Sequence, residues 1–70
     1  MKKEPLTKKQ KQTLEFIKSF NSRFGYMPSS FDLSKKFNIS VGGSTDFRFK
    51  SLIRKGWIKR KNKARSIVIL

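Results

Sequence analysis

"RKGWIKRKNKARSIVIL", residues 54–70, decides how the chain is read. Two apolar segments, Trp57-Ile58 and Ile67 to Leu70, flank residues 59–65, where six of seven positions are basic or amide. Short apolar runs held apart by "NKA" have the length and composition of a β-hairpin, so strands are predicted over 57–61 and 65–69. The apolar ends are then the strands and the basic middle is their loop. Gly56, directly ahead of Trp57, is a stop signal for the element before it.

That element is a helix. Ser44 or Gly43 can cap it, and Thr45, Phe49, Leu52 and Ile53 repeat at i, i+4, i+7 and i+8, the spacing of a core stripe. Upstream, "SVGGS" forms a connection, and "SSFD" signals another helix start. Ser29 is placed as N-cap, with Asp32 as the reciprocal acceptor three residues on and a negative charge in the first turn. Leu33 and Phe37 lie one turn apart on one face, and Asn38 can take a left-handed exit, which sets this helix at 30–37. A first helix is predicted over 8–24. Thr7 and Gln10 form a capping-box pattern with Leu6 as a staple, and Leu14, Ile17, Asn21 and Phe24 share a face with Thr13 and Phe20 at its edge. Gly25 ends it, and Pro28 forbids easy continuation. Residues 1–5 show no periodicity and read as a flexible basic arm; 6–70 form one domain. The architecture is mostly α with a C-terminal β-hairpin, the element order of a winged helix-turn-helix.

Composition narrows the partners. The 70 residues carry 18 Lys and Arg against Glu4, Glu15, Asp32 and Asp46, a net charge of +14, with a pI near 11.0. Such a balance selects polyanions, nucleic acid first. From Arg48 to Arg65 there are nine basic residues and no acid, while seven Phe, one Tyr and one Trp are spread along the chain as in a folded domain. Neither Cys nor His is present, which excludes disulfides and the common zinc sites. No apolar run approaches the roughly 20 residues of a membrane span, and the start lacks a secretory signal. The expectation is a cytoplasmic protein without cofactor, metal or small-molecule substrate. Two adjacent glycines in "VGGST" do not make a phosphate loop, which needs a Lys after the last Gly and a strand before the first. The four carboxylates are too scattered for acid-base or metal chemistry, so no enzyme activity is expected.

The stretch "LTKKQKQTLEFIKSFNSRFGYMPSSFDLSKKFNI", followed by "LIRKGWI" and "RSIVIL", resembles the N-terminal DNA-binding domain of the LexA repressor family. The marks are Leu6-Thr7 with Gln10, Phe16-Ile17, Gly25-Tyr26 with Pro28-Ser29, Leu33, Phe49 with Leu52, Lys55-Gly56 with Ile58, and Arg65 with Ile67. The resemblance implies a winged helix that docks its third helix in the major groove of operator DNA. In two respects this chain departs from the family. "SVGGSTDFRF" stands where the family typically has a Ser-Pro-Asn-like turn with acidic or small residues at base-reading positions, so the operator is not inherited. Family repressors also continue into a self-cleaving, dimerising domain, which is expected to be missing from a chain ending at Leu70.

The candidate DNA-binding residues fall in two groups. With Phe49 pointing to the core, Ser44, Phe47, Ser51 and Arg54 lie on the opposite side of the third helix with Lys50 and Arg48 flanking, and Gly43 and Asp46 belong to its first turn. Phe47 has two readings: contact with a thymine methyl, or folding back on Val41. Asp46 also has two, as a dipole partner of the helix or as an acceptor for cytosine N4. Ser44 can cap the helix and still meet a phosphate, whereas Thr45 is given to capping and the core edge. The second group grips backbone. It comprises Lys55, Lys59, Arg60, Lys61, Lys63 and Arg65 of the wing region, with Ser29, Ser30 and Lys8 at helix starts. Trp57 is assigned to the core or to hairpin support, and Phe31, opposite Leu33 and Phe37, to a partner surface or to covering the connection.

The function expected is a sequence-specific double-stranded DNA-binding protein, a small bacterial, phage or mobile-element transcription regulator. A second copy assembled on DNA or a protein partner would supply the specificity that one module lacks. The alternatives are an interaction or architectural module of a recombination, replication or transcription complex, using Phe31 and Phe47 as contacts, and a structured-RNA binder.

Overall fold

The computed structural model describes residues 3–60 and 66–70. Each helix begins and ends where local side-chain chemistry dictates. Helix α1, Lys8–Phe24, opens on a closed capping box: Thr7 Oγ1 accepts the Gln10 N–H and Gln10 Oε1 accepts the Thr7 N–H. It ends at Gly25, whose φ of 77° is the left-handed conformation that lets its N–H reach back to the Asn21 carbonyl. Helix α2, Ser30–Phe37, repeats the device, with Ser29 and Asp32 exchanging backbone N–H bonds and Asn38 at φ 54° closing it. These match the predicted bounds.

Helix α3, Gly43–Arg54, starts differently. Its N-cap is Gly42 and not the expected Gly43 or Ser44, which lie inside the first turn; Gly42 stands at φ 109° and ψ −115°, and the Thr45 hydroxyl reaches back to accept the Gly42 N–H while donating to the Gly42 carbonyl. At the other end Gly56 N–H bonds Ile53 O and Trp57 N–H bonds Leu52 O, the paired closure of a Schellman motif with Gly56 in the left-handed position. The chain turns directly into β1, Ile58–Arg60, which pairs antiparallel with β2, Ile67–Ile69, in the register Ile58 with Ile69, Lys59 with Val68 and Arg60 with Ile67. Trp57 and Ser66, predicted as strand residues, lie outside the strands, and Lys61, Arg65 and the loop predicted between them lie outside the described residues.

Every element contributes to one core: Leu14 and Ile17 from α1, Leu33 from α2, Phe49 and Leu52 from α3, Ile58 from β1 and Ile67 from β2. Burying each such side chain is worth about 1.5–3 kcal/mol. This seam fixes α3 against α1 and α2 and seats the hairpin behind α3.

Three further expectations are corrected. Phe24, placed on the core stripe, is 49% exposed because the C-terminal end of α1 overhangs the core; its ring joins Phe20 and Tyr26 outside, in a ladder that Phe16 continues to Phe37. On α3 the stripe is turned: Ile53 is 39% exposed while Ser51 is buried, because α1 packs against the side of α3 that carries Ser51 and Arg48. The arm is not free over residues 3–5. Glu4 donates its N–H to the Lys55 carbonyl and accepts from Trp57 Nε1 at 2.6 Å, Pro5 O accepts from Lys55 Nζ, and Lys3 Nζ reaches the Leu70 carbonyl while lying over the Trp57 ring. Trp57 thus supports the hairpin, as expected, and also anchors the N-terminal segment.

Candidate nucleic-acid interface

Because α3 buries Thr45, Phe49, Ser51 and Leu52, its opposite side is open. Gly43, Phe47, Lys50 and Arg54 follow one another there at i, i+4, i+7 and i+11, one continuous stripe, with Ser44 exposed beside it. Phe47 is 69% exposed, and Val41, the residue it was alternatively expected to fold back on, is itself exposed. Its ring stands between two shallow depressions. One, of about 320 Å³, is lined by Phe47, Lys50, Ser51 and Arg54. The other, of about 720 Å³, runs from Gly43, Ser44 and Arg48 to Thr7, Lys9 and Gln10 at the start of α1. A ridge flanked by grooves and backed by cations is a shape that can enter a groove of duplex DNA.

Among the described residues the side chains of Lys50, Arg54 and Lys59 make no hydrogen bond or ion pair. Lys59 points outward from β1 with Val68 across from it. These cations are available to phosphates. Lys61, Lys63 and Arg65 lie outside the described residues.

Several candidates are engaged within the fold. Ser51 is only 3% exposed and its hydroxyl donates to the Phe47 carbonyl at 2.8 Å, so it floors the two depressions and does not project from them. Arg48 is turned inward as well: Nη1 donates to Thr13 Oγ1 at 3.0 Å, and the guanidinium lies 4.5 Å from the centre of the Phe37 ring. It wedges α1, α2 and α3 together. Lys55 holds Gln10 Oε1 at 2.7 Å and Pro5 O at 3.0 Å, which ties the N-terminal segment to the end of α3. Ser29 Oγ donates to Asp32 Oδ2 and lies within reach of the Asp32 N–H that it caps, and Ser30 Oγ accepts from Arg60. Sequence periodicity alone did not place Arg48, Lys55 and Ser30, because each depends on a neighbour distant in the chain.

Asp46, in the first turn of α3, is half-exposed and lies 3.8 Å from Arg60 Nη1. Arg60, expected among the backbone-gripping wing cations, is held within the fold by this contact and by its bond to Ser30. A signal for this was present. Strand side chains alternate, so Arg60 shares the inward face with Ile58, two residues before it.

A helix-turn-helix pair whose second helix keeps one face open, backed by a two-stranded basic hairpin, defines the winged helix-turn-helix class. Within that class the assignment is specific: the chain belongs to the LexA DNA-binding domain family, whose pattern it matches over residues 3–66. It is 40% identical over 67 residues to the LexA repressor of Petrotoga mobilis, covering 96% of this chain and 33% of that protein. With the LexA repressor of Pseudothermotoga lettingae it shares 40% identity over 70 residues, 100% of this chain and 34% of the relative. A LexA repressor of Thermotoga neapolitana is 39% identical over 57 residues, 81% of this chain and 28% of its own length. The chain therefore spans about a third of the length of the curated relatives it matches.

Proposed function

We propose that the chain is a sequence-specific double-stranded DNA-binding protein that regulates transcription, with the exposed face of α3 in the major groove and the basic hairpin on the adjacent backbone. The observation that carries this reading is the α3 stripe of Gly43, Phe47, Lys50 and Arg54: open, apolar at its centre, and bearing cations without partners among the described residues. Its place in the LexA DNA-binding domain family supports the same use. Phe47 offers an apolar face to a thymine methyl, and Lys50 and Arg54 offer hydrogen-bond donors to guanine or phosphate.

The protein acts by binding and works in the cytoplasm, on the nucleoid. One module covers few base pairs, so regulation uses two copies on a repeated site or a partner that pairs them. Selection of genomic duplex fragments by the purified protein in about 150 mM salt, near physiological screening, tests the reading. A single enriched motif is expected, present as a repeat of fixed spacing. Uniform recovery of all fragments would reject it, and preference for duplex RNA at equal salt would transfer the module to RNA.

A further inference from the structure

We infer that Arg60 is a positioning residue, which latches the wing to the two helices of the DNA-reading unit and thereby sets the wing's angle on duplex DNA. This rests on the proposed DNA-binding function. Arg60 is the last described residue of β1. Its guanidinium makes three contacts on the helices. Nη2 donates to Ser30 Oγ at 3.1 Å, at the start of α2. Nη1 lies 3.8 Å from Asp46 Oδ1, in the first turn of α3. The plane sits 4.4 Å from the centre of the Phe49 ring, whose residue is fully buried.

The contacts divide the work in a way that suits a latch. A two-stranded ribbon of three-residue strands is marginal by itself and takes its orientation from what it packs on. The core holds β1 at the base of the ladder through Ile58 and β2 at its other end through Ile67, and Arg60, opposite Ile67, holds the β1 side of that end. The fork geometry matters: a guanidinium can address a hydroxyl and a carboxylate with different nitrogens while stacking on a ring, and an ammonium cannot. The pairing also offsets the Asp46 charge at the end of α3 that faces phosphate. Arg60 is thus held away from the DNA as a ligand while Lys59, its neighbour on the outer strand face, remains free.

Two measurements on the full chain test this. In the free protein, hydrogen exchange of the β1 and β2 amides is compared among wild type, Arg60→Met and Arg60→Lys, the last keeping stem and charge if the first proves too unstable. Faster exchange at the strands, with α1 and α3 core amides unchanged, is expected for both; unchanged strand protection would overturn the latch even if the chain bound no DNA. On a duplex site, Arg60→Met is expected to weaken affinity about tenfold through loss of the pre-set wing, with the slope of log K against log salt unaltered. A slope shallower by about 0.9 would make Arg60 a phosphate ligand and reject the proposal. In a Ser30→Ala, Asp46→Asn background the effect of Arg60→Met on affinity should shrink to near nothing, and full additivity would also reject it. A wild-type chain with no duplex affinity would defeat the DNA reading alone, since the exchange experiment judges the latch independently.

Discussion

Phe47 combines two properties that rarely coincide in a small domain: it is large and apolar, and it contributes almost nothing to the core. Phe47→Ala is therefore expected to change unfolding free energy by less than about 0.5 kcal/mol, while lowering affinity for the selected duplex by about 1–3 kcal/mol and sparing non-specific binding. Chemical denaturation together with competition binding against random duplex checks both halves; equal losses on specific and random DNA would remove Phe47 from sequence reading. The adjacent glycines ahead of it also separate into different physical roles. Gly42 sits at φ 109°, where a side chain is strained, whereas Gly43 lies in the first turn of the helix with open space where a Cβ would stand. Gly43→Ala should stabilise the fold by about 0.4–1 kcal/mol, and Gly42→Ala should destabilise it by more than that. Urea unfolding of the two variants gives the signs directly. Any affinity lost in Gly43→Ala then reports DNA approaching the start of α3 closely.

The ends of α1 and α2 were legible in the sequence residue by residue because capping is local: Thr7 with Gln10, Ser29 with Asp32, Gly25 and Asn38 each act within a few positions of themselves. The rotation of α3 was not, since Ser51 and Ile53 stand at opposite edges of its stripe and which edge is buried depends on where α1 lies. Nor was the docking of residues 3–5, whose partners Lys55, Trp57 and Leu70 come from the far end of the chain. The open side of α3 was readable from periodicity, but its wheel held Ser51 and Arg48 as well as Lys50 and Arg54, and only packing separates them. A paired experiment at the level of the element exploits that separation. Arg48→Met breaks the bond to Thr13 between α3 and α1, and should lower stability by about 1 kcal/mol, or about 4–8 °C in Tm for a domain of this size, with no change in the salt slope of binding. Arg54→Met should leave Tm in place and make the slope shallower by about 0.9. Thermal melts and salt titrations of both variants decide it, and an exchange of the two phenotypes would mean that the helix faces have been assigned the wrong way round.

For the whole molecule, charge acts in opposite directions on folding and on binding. With 18 cations and four carboxylates, compaction brings like charges together more often than it pairs opposite ones. Asp46 with Arg60 is one ion pair among the described residues, and it joins groups that are both partly open to solvent. Screening should therefore favour the folded state, because the net electrostatic contribution to folding is repulsive. Binding DNA responds the other way, since each phosphate neutralised releases counterions whose return is favoured by salt. If about six phosphates are engaged, raising salt from about 50 to 200 mM should weaken the complex about a thousandfold, while the Tm of the free protein rises over the same interval. The two trends are measured on one preparation, by melting in the absence of DNA and by titration in its presence. A Tm that fell with salt would show that attractive pairs dominate the fold, and the unpartnered cations would then need a structural account. A complex indifferent to salt would place its affinity in apolar contact alone, which the single exposed Phe47 on the α3 stripe is too small to supply.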